Sequence, residues 1–322
     1  MEASVIDIKD IKSVEIIENQ HVYDIEVENN HNFYLSTNTD KILVHNSGKS
    51  EVVDQMVLGY ALKSGYKTAF ASVENKPNHL HHQKLVRKLS GIAPTKESHF
   101  NKSFELCEDF VQNNFYMIDL ENGYDLERVL LKAEELVFRK GIRILVLDPF
   151  NKIKFKGDVE SISGNRTNDY TNKYLELIND FATKYDVLVI LVAHPVKMNK
   201  LDNGKRAVPD FYDVKGGGEF YDMCHHGLVV SRNYDFELTL IRTLKVKFAH
   251  LGENNKDSWF KYNINNGRLS DAVGDPESAE GVIIEFDNEN WVTQDEISDI
   301  SINNDLESNA NDWIEPQTKV PF

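Results

Sequence analysis

The stretch ILVHNSGKS, residues 42–50, ends in side chains suited to a phosphate site. Lys49 is placed to neutralise β- and γ-phosphate oxygens, and Ser50 to hold a Mg2+ ion. The amides opening the following segment, EVVDQMVLGYALKSG, would favour an anion if that segment is a helix. The full phosphate-loop pattern needs a glycine five residues before Gly48, and that position is Leu43. Three further groups stand at the ends of apolar stretches: Glu74 after KTAFASV, Asp148 closing IRILVLD, and His194 after VLVILVA. A carboxylate at 74 can polarise an attacking water. Asp148 lies at the carboxyl end of a strand, where open α/β sheets bind ligands. Each group alone has an ordinary explanation, a solvated strand end or a hydrogen-bonded imidazole. Their order, Lys, Glu, Asp, His across successive strand ends, argues for one site.

The elements that would position these groups alternate from Glu51 to about Asp271. EVVDQMVLGYALKSG reads as a helix and KTAFASVE as a strand. In DLERVLLKAEELVFRKG, Leu126, Val129, Leu130 and Ala133 share one helical face. IRILVLD and VLVILVAH are largely apolar strands around the helix TNDYTNKYLELINDFATKY, and GLVVSR, ELTLIRTLKVKF and WFKYNI follow as strands. Apolar strands separated by helices predict an α/β fold, a mostly parallel sheet with helices on both faces. Residues 1–46 differ, with short β segments bounded by Asn, Asp or Ser and no helical period. Beyond Asp271 the chain turns acidic and polar and is expected to be largely disordered, with one docked strand near Val282–Phe286.

The net charge of −16 over 322 residues is unevenly spread. Fourteen acids and one Lys fall between Asp271 and Phe322, so the preceding 270 residues carry about −3. The total therefore leaves nucleic acid open as a partner, provided the basic surface is local. No apolar run reaches the roughly 18–20 residues of a membrane span, and the first residues lack a signal-peptide pattern. Two distant cysteines, Cys107 and Cys224, point to a reducing cytoplasm without a disulfide framework.

VYDIEVENNHNFY, followed by ILVHN and then Ser47, resembles the C-terminal half of an intein, the self-splicing segment of the Hint fold. The resemblance covers residues 1–46. It implies that Ser47 attacks the upstream (thio)ester, that the Asn46 side-chain amide cyclises on its own carbonyl, and that His45 acts on that carbonyl as general acid. Asp24 and His31 fall at the positions that assist these steps. The Met lies only 45 residues before Asn46, so a split intein is expected, its other half arriving on a separate polypeptide. Trans-splicing would then join a glycine-containing segment to Ser47 and complete the phosphate loop.

Beyond the junction the body, roughly 47–271, resembles the RecA-like replicative helicases of DnaB, Twinkle and the phage primase-helicases. The segment HPVKMNKLDNGKRAVPDFYDVKGGGEFYDMCHHGLVVSR carries most of this resemblance. It implies a basic loop tracking single-stranded DNA through Lys197, Lys200, Lys205, Arg206 and Lys215. It also implies His194 as a γ-phosphate sensor, Asp148 as a Mg2+ holder, and Arg232 and Tyr262 as a sandwich for the nucleotide base. In IRTLKVKFAHLG, Lys245 matches the family's K-x-R strand, while Lys247 stands where the family carries an arginine that reaches a neighbouring subunit. Lysine supplies charge there without a bidentate fork. The acidic tail ending DWIEPQTKVPF resembles tails that dock basic replisome partners.

The expected organisation is an intein fragment at 1–46, an ATPase domain at 47–271 lacking its first strand and the start of its phosphate loop, and an acidic tail at 272–322. The expected activity, after splicing, is a hexameric NTP-dependent DNA helicase using ATP or another NTP with Mg2+. A phage origin would place it in the host cytoplasm. The alternatives are a recombinase or loader that binds DNA without unwinding it, and an unspliced fragment without enzymatic activity.

Overall fold

The computed structural model describes residues 32–36, 41–45, 48–95, 98, 101–120, 123–155, 166–196, 207–214, 216–233, 235–274, 276, 278 and 281–284. The chain divides into two compact units, Met1–Gly48 and Lys49–Phe322. In the first, β1 (Asn32–Ser36) pairs antiparallel with β2 (Lys41–His45), with Asn32 opposite His45 and Ser36 opposite Lys41. Aromatic and β-branched residues in NFYLS and KILVH suit such a ladder. Leu43 is paired with Tyr34 inside it.

The second unit opens with α1 (Lys49–Ser64) and β3 (Lys67–Ser72). Next come α2 (Asn78–Ser90), α3 (Lys102–Asn114), β4 (Phe115–Met117) and α4 (Leu126–Lys140). β5 (Ile142–Asp148), α5 (Arg166–Tyr185) and β6 (Leu188–Leu191) complete a parallel sheet in the order β4-β3-β5-β6.

Side chains alternate across this sheet with the strand period of two. Phe70, Ile144 and Val146 meet Val57, Leu58, Leu85 and Phe110 from α1, α2 and α3. Ala69, Ala71, Leu145 and Leu147 meet Val129, Ala133, Ile178 and Phe181 from α4 and α5 on the other face. Both faces are thus covered, which is why β3 and β5 read as apolar runs rather than alternating ones. The helix ends follow from single residues. The Asn101 side chain accepts from the amides of Ser103 and Phe104 at 2.9 and 3.3 Å. Gly91 and Gly141 close α2 and α4 in the left-handed region.

The parallel sheet covered by helices agrees with the expected α/β fold, and the strands after residue 225, whose direction the sequence left open, are antiparallel. β7 (His226–Asn233), β8 (Leu238–Val246), β9 (Lys256–Tyr262), β10 (Leu269–Gly274) and β11 (Val282–Ile284) form an antiparallel sheet in the order β11-β10-β9-β8-β7. Connections this short cannot carry a parallel crossover, which needs a dozen or more residues. β10 runs through Asp271, where the ATPase domain was expected to end, and β11 supplies the docked strand expected near 282–286.

α6 (Gly217–Met223) packs tightly on the turn Phe211–Asp213. A β-carbon at Gly217 would run into the carbonyl oxygen of Phe211, whereas one at Gly218 would meet nothing within 4 Å. Gly217→Ala should therefore cost about 1–3 kcal/mol, while Gly218→Ala should be neutral or stabilising by up to about 1 kcal/mol. Urea unfolding of the two variants side by side checks the contrast. Among the described residues no helix is long and apolar enough to cross a membrane.

Candidate functional site

Because β3, β5 and β6 are parallel, their carboxyl ends lie on one edge of the sheet. β5 stops at Asp148. The chain after β3 is held there by the Val73 amide, which donates to the Asp148 carbonyl at 2.9 Å. The Asn75 amide donates to Ser72 Oγ at 3.1 Å, so Glu74 and Asn75 are carried past the strand end at a fixed angle. His194 follows β6 by three residues. α1 begins at Lys49, directly after Gly48, whose φ of 76° is a left-handed conformation that glycine adopts without cost.

These elements bring five of the expected site residues together. Ser50 Oγ donates to Asp148 Oδ2 at 3.2 Å. His194 Nε2 lies 3.4 Å from Glu74 Oε2. Burial lowers the Lys49 ammonium's proton affinity, while the charges of Asp148 and Glu74 work in the opposite direction. Burial raises the Asp148 carboxyl above its ordinary range and Glu74 adds to this, with the Ser50 hydrogen bond and His194 opposing. Lys49, Ser50, Glu74, Asp148 and His194 therefore form one electrostatically coupled cluster.

The cluster fits a Mg2+ ion. Its donors are a hydroxyl and a carboxylate, the oxygen ligands a hard cation takes. Asp148 is buried, and its Oδ1 has no hydrogen-bond partner among the described residues. Such an orphaned acceptor is costly unless something meets it.

One neighbour of this cluster was not foreseen. Asn75 Nδ2 donates to Asp148 Oδ2 at 3.1 Å, on the same oxygen that Ser50 reaches. The only trace of it in the sequence is its place next to Glu74.

Also unforeseen is an ionic network beneath α1. Lys84 Nζ bridges Glu51 Oε1 at 3.0 Å and Asp54 Oδ2 at 2.7 Å, and His81 Nε2 meets Asp54 Oδ1 at 2.9 Å. Lys88 Nζ meets Glu51 Oε2 at 2.6 Å and also donates to the Gly267 carbonyl. Fully buried Arg268 donates to the carbonyls of Lys88 and Leu89. The spacing carries a signal: Glu51 and Asp54 are three apart on α1, and His81, Lys84 and Lys88 lie at helical intervals on α2.

Tyr262, the last residue of β9, borders this network, with Lys88 Nζ 5.6 Å from its ring centre. Its hydroxyl is pushed up by burial and by Glu51, while Arg87, Lys84 and Arg232 act against this. Arg232 lies on β7, two strands away in the sheet order. Lys247 follows β8, with its Nζ 3.2 Å from His225 Nε2, and Lys245 Nζ sits 4.7 Å above the Tyr221 ring. Of the splicing residues only the backbone of His45, the last residue of β2, is described. Asp24, His31, Asn46 and Ser47 lie outside the described residues, as do Lys197, Lys200, Lys205, Arg206 and Lys215.

No protein-family model matches the chain. Over 248 residues it is 29% identical to the Twinkle homolog protein, chloroplastic/mitochondrial, of Arabidopsis thaliana, a match covering 72% of this chain and 34% of that protein. The chain is thus similar in sequence to this Twinkle homolog over about a third of that protein's length. A solved structure described as a DnaB-like replicative helicase and its interactions with primase superposes with a TM-score of 0.50 at 13% identity. That match covers 65% of this chain and 54% of the other, and it shows the fold. A RadB recombinase structure matches at a TM-score of 0.42 and 14% identity, over 68% of this chain and 84% of that one. The chain spans about a third of the Twinkle relative's length.

Proposed function

We propose that this chain is the C-terminal portion of a replicative DNA helicase and that it matures by protein trans-splicing. The observation that carries the helicase half is the cluster of Lys49, Ser50, Glu74, Asp148 and His194 at the carboxyl edge of a parallel sheet, in a chain similar in sequence to a Twinkle homolog.

In this reading Lys49 neutralises the β- and γ-phosphates of ATP or another NTP. Ser50 and Asp148 hold Mg2+, which when bound offsets the charge developing on the phosphoryl oxygens. Glu74 orients and polarises the attacking water. His194 beside it registers whether the γ-phosphate is present. Arg232 and Tyr262 flank the base, and Lys247 acts on the neighbouring subunit's nucleotide. The helicase is a hexameric ring, with Lys197, Lys200, Lys205, Arg206 and Lys215 contacting single-stranded DNA. The acidic tail docks a replisome partner, and the protein works in a cytoplasm, the host's if it is phage-encoded.

The splicing half rests on the residues at the junction. Leu43 occupies the place of the loop's first glycine, and β2 is committed to its ladder with β1. Ser47 Oγ attacks the carbonyl of the upstream ester carried by an N-terminal partner fragment. The acyl group moves to Ser47 and the partner's nucleophile leaves. Asn46 Nδ2 then attacks its own carbonyl, with His45 donating a proton and Asp24 and His31 assisting. The 46–47 peptide bond breaks, leaving a succinimide and a free Ser47 amine. That amine takes the acyl group from Ser47 Oγ and restores an amide.

Mass spectrometry of peptides spanning Ser47 from the native source tests the splicing half. Foreign, glycine-containing residues directly before Ser47-Gly48-Lys49 are expected. Finding only peptides that run through His45-Asn46-Ser47 would overturn it. The helicase half is tested by nucleotide hydrolysis and fork unwinding by the product; the unspliced chain should hydrolyse negligible NTP.

A further inference from the structure

We infer that Asn75 is a positioning residue for the cation site: its amide fixes which oxygen of Asp148 faces the metal. The inference rests on the Mg2+ role proposed above for Asp148. The Asp148 carboxylate has two oxygens in unlike surroundings. Oδ2 accepts from Asn75 Nδ2 at 3.1 Å and from Ser50 Oγ at 3.2 Å. Oδ1 is buried and has no hydrogen-bond partner among the described residues. A carboxylate held by one oxygen cannot swing freely, so the other is presented in a fixed direction.

The two donors are not equivalent. A hydroxyl has one O–H to donate and lone pairs to ligate with, so Ser50 must serve both Oδ2 and the cation from a single oxygen. A side-chain amide nitrogen has only N–H groups to offer and is no metal ligand. Asn75 is thus the donor whose direction answers to Asp148 alone. The amide also stands beside Glu74, whose charge already acts on Asp148. A neutral donor there steers one carboxylate without adding a third. The loop does not need the side chain to keep its course. It is tied by the backbone amides of Val73 and Asn75, and by Lys76 on Asp119 at 2.6 Å.

Outer-shell partners of metal-ligating groups are typically worth 10–100-fold in metal affinity. The probe is Mn2+ alone, titrated into the full chain and followed by electron paramagnetic resonance. Binding that Asp148→Ala removes defines the site against the acidic background. Asn75→Leu, close in shape but without a donor, should weaken that binding about 10-fold. Asn75→Gln should recover part of it. Thermal melts of both variants should stay near the parent, and Asn75→Ala replaces Asn75→Leu if the latter fails to fold. Unchanged Mn2+ affinity in Asn75→Leu, with Asp148→Ala still losing the site, would overturn the inference and leave the proposed function standing. Absence of any Asp148-dependent binding would overturn both this inference and the Mg2+ role on which it rests.

Discussion

Replacing Glu74 with glutamine in the mature protein should lower NTP turnover by about 10²–10⁴-fold while leaving Mg2+-nucleotide binding close to normal. Glutamine keeps the shape and the reach but cannot accept a proton or carry charge. Glu74 lies 3.4 Å from His194, and its charge acts on both Lys49 and Asp148. Removing that charge has two electrostatic consequences of known sign. Asp148 loses a raising influence, so its carboxyl ionises at lower pH. Lys49 loses one of the charges that hold its proton, so its ammonium gives up the proton more readily. Both ionisations therefore move to lower pH in the metal-free variant. Single-turnover hydrolysis and fluorescent-nucleotide binding across pH check both parts. A variant that turns over within a few-fold of the parent would remove Glu74 from the chemistry. Equal losses of binding and turnover would make it a residue that holds the site together.

The parts of this site that were legible in the sequence are those where one residue type has one chemical use at a strand end. Glu74, Asp148 and His194 were readable because apolar runs mark the parallel strands and the polar residue ending or following each run stands at the edge, and Lys49 and Ser50 because Gly-Lys-Ser opens a helix. Asn75 was not readable, since an amide beside a carboxylate has no pattern until the fold places it on Asp148 from the end of the neighbouring strand. The direction of the last five strands was not legible for a different reason. Apolar content marks a strand but carries no direction, and direction lay in connection length: four residues separate Asn233 from Leu238, too few for a parallel crossover. That spacing marks β7 and β8 as a hairpin. The ionic network has no signal in the apolar stripe of either helix. α1 buries Asp54 alongside Val52, Val57, Leu58 and Ala61, and a buried acid among apolar residues needs a cation from another element.

That buried acid carries the largest expected effect on stability. Asp54→Ala should destabilise the fold by about 3–5 kcal/mol, the usual cost of removing one partner from a buried charge network. The Asp54 side chain is 2% exposed and holds both His81 and Lys84. Burial alone would raise its carboxyl, but the charges and hydrogen bonds of Lys84 and His81 outweigh this and hold it well below the usual range. For Lys84, burial acts downward, and Asp54 and Glu51 outweigh it, so its ammonium is held above the usual range. The signs set the pH window. Asp54's share is present above its unfolded value of about 3.9 and is lost as pH falls through the depressed folded value. Lys84's share is full below its unfolded value of about 10.4 and is lost as pH rises through the raised folded value. Between those limits the penalty of Asp54→Ala should be constant, and it should shrink in strong acid, where the parent loses the same interaction. Urea unfolding at pH 7 and near pH 2 measures both. A penalty under about 1 kcal/mol, as for exposed ion pairs, would mean that water reaches the network. The position matters for function as well, since Asp54 lies one turn after Ser50 on α1 and Glu51 directly follows Ser50. A helix that loses its hold on Lys84 and His81 loses the anchor that keeps Ser50 on Asp148, so Asp54→Ala should weaken Asp148-dependent Mn2+ binding even at temperatures where the chain remains folded.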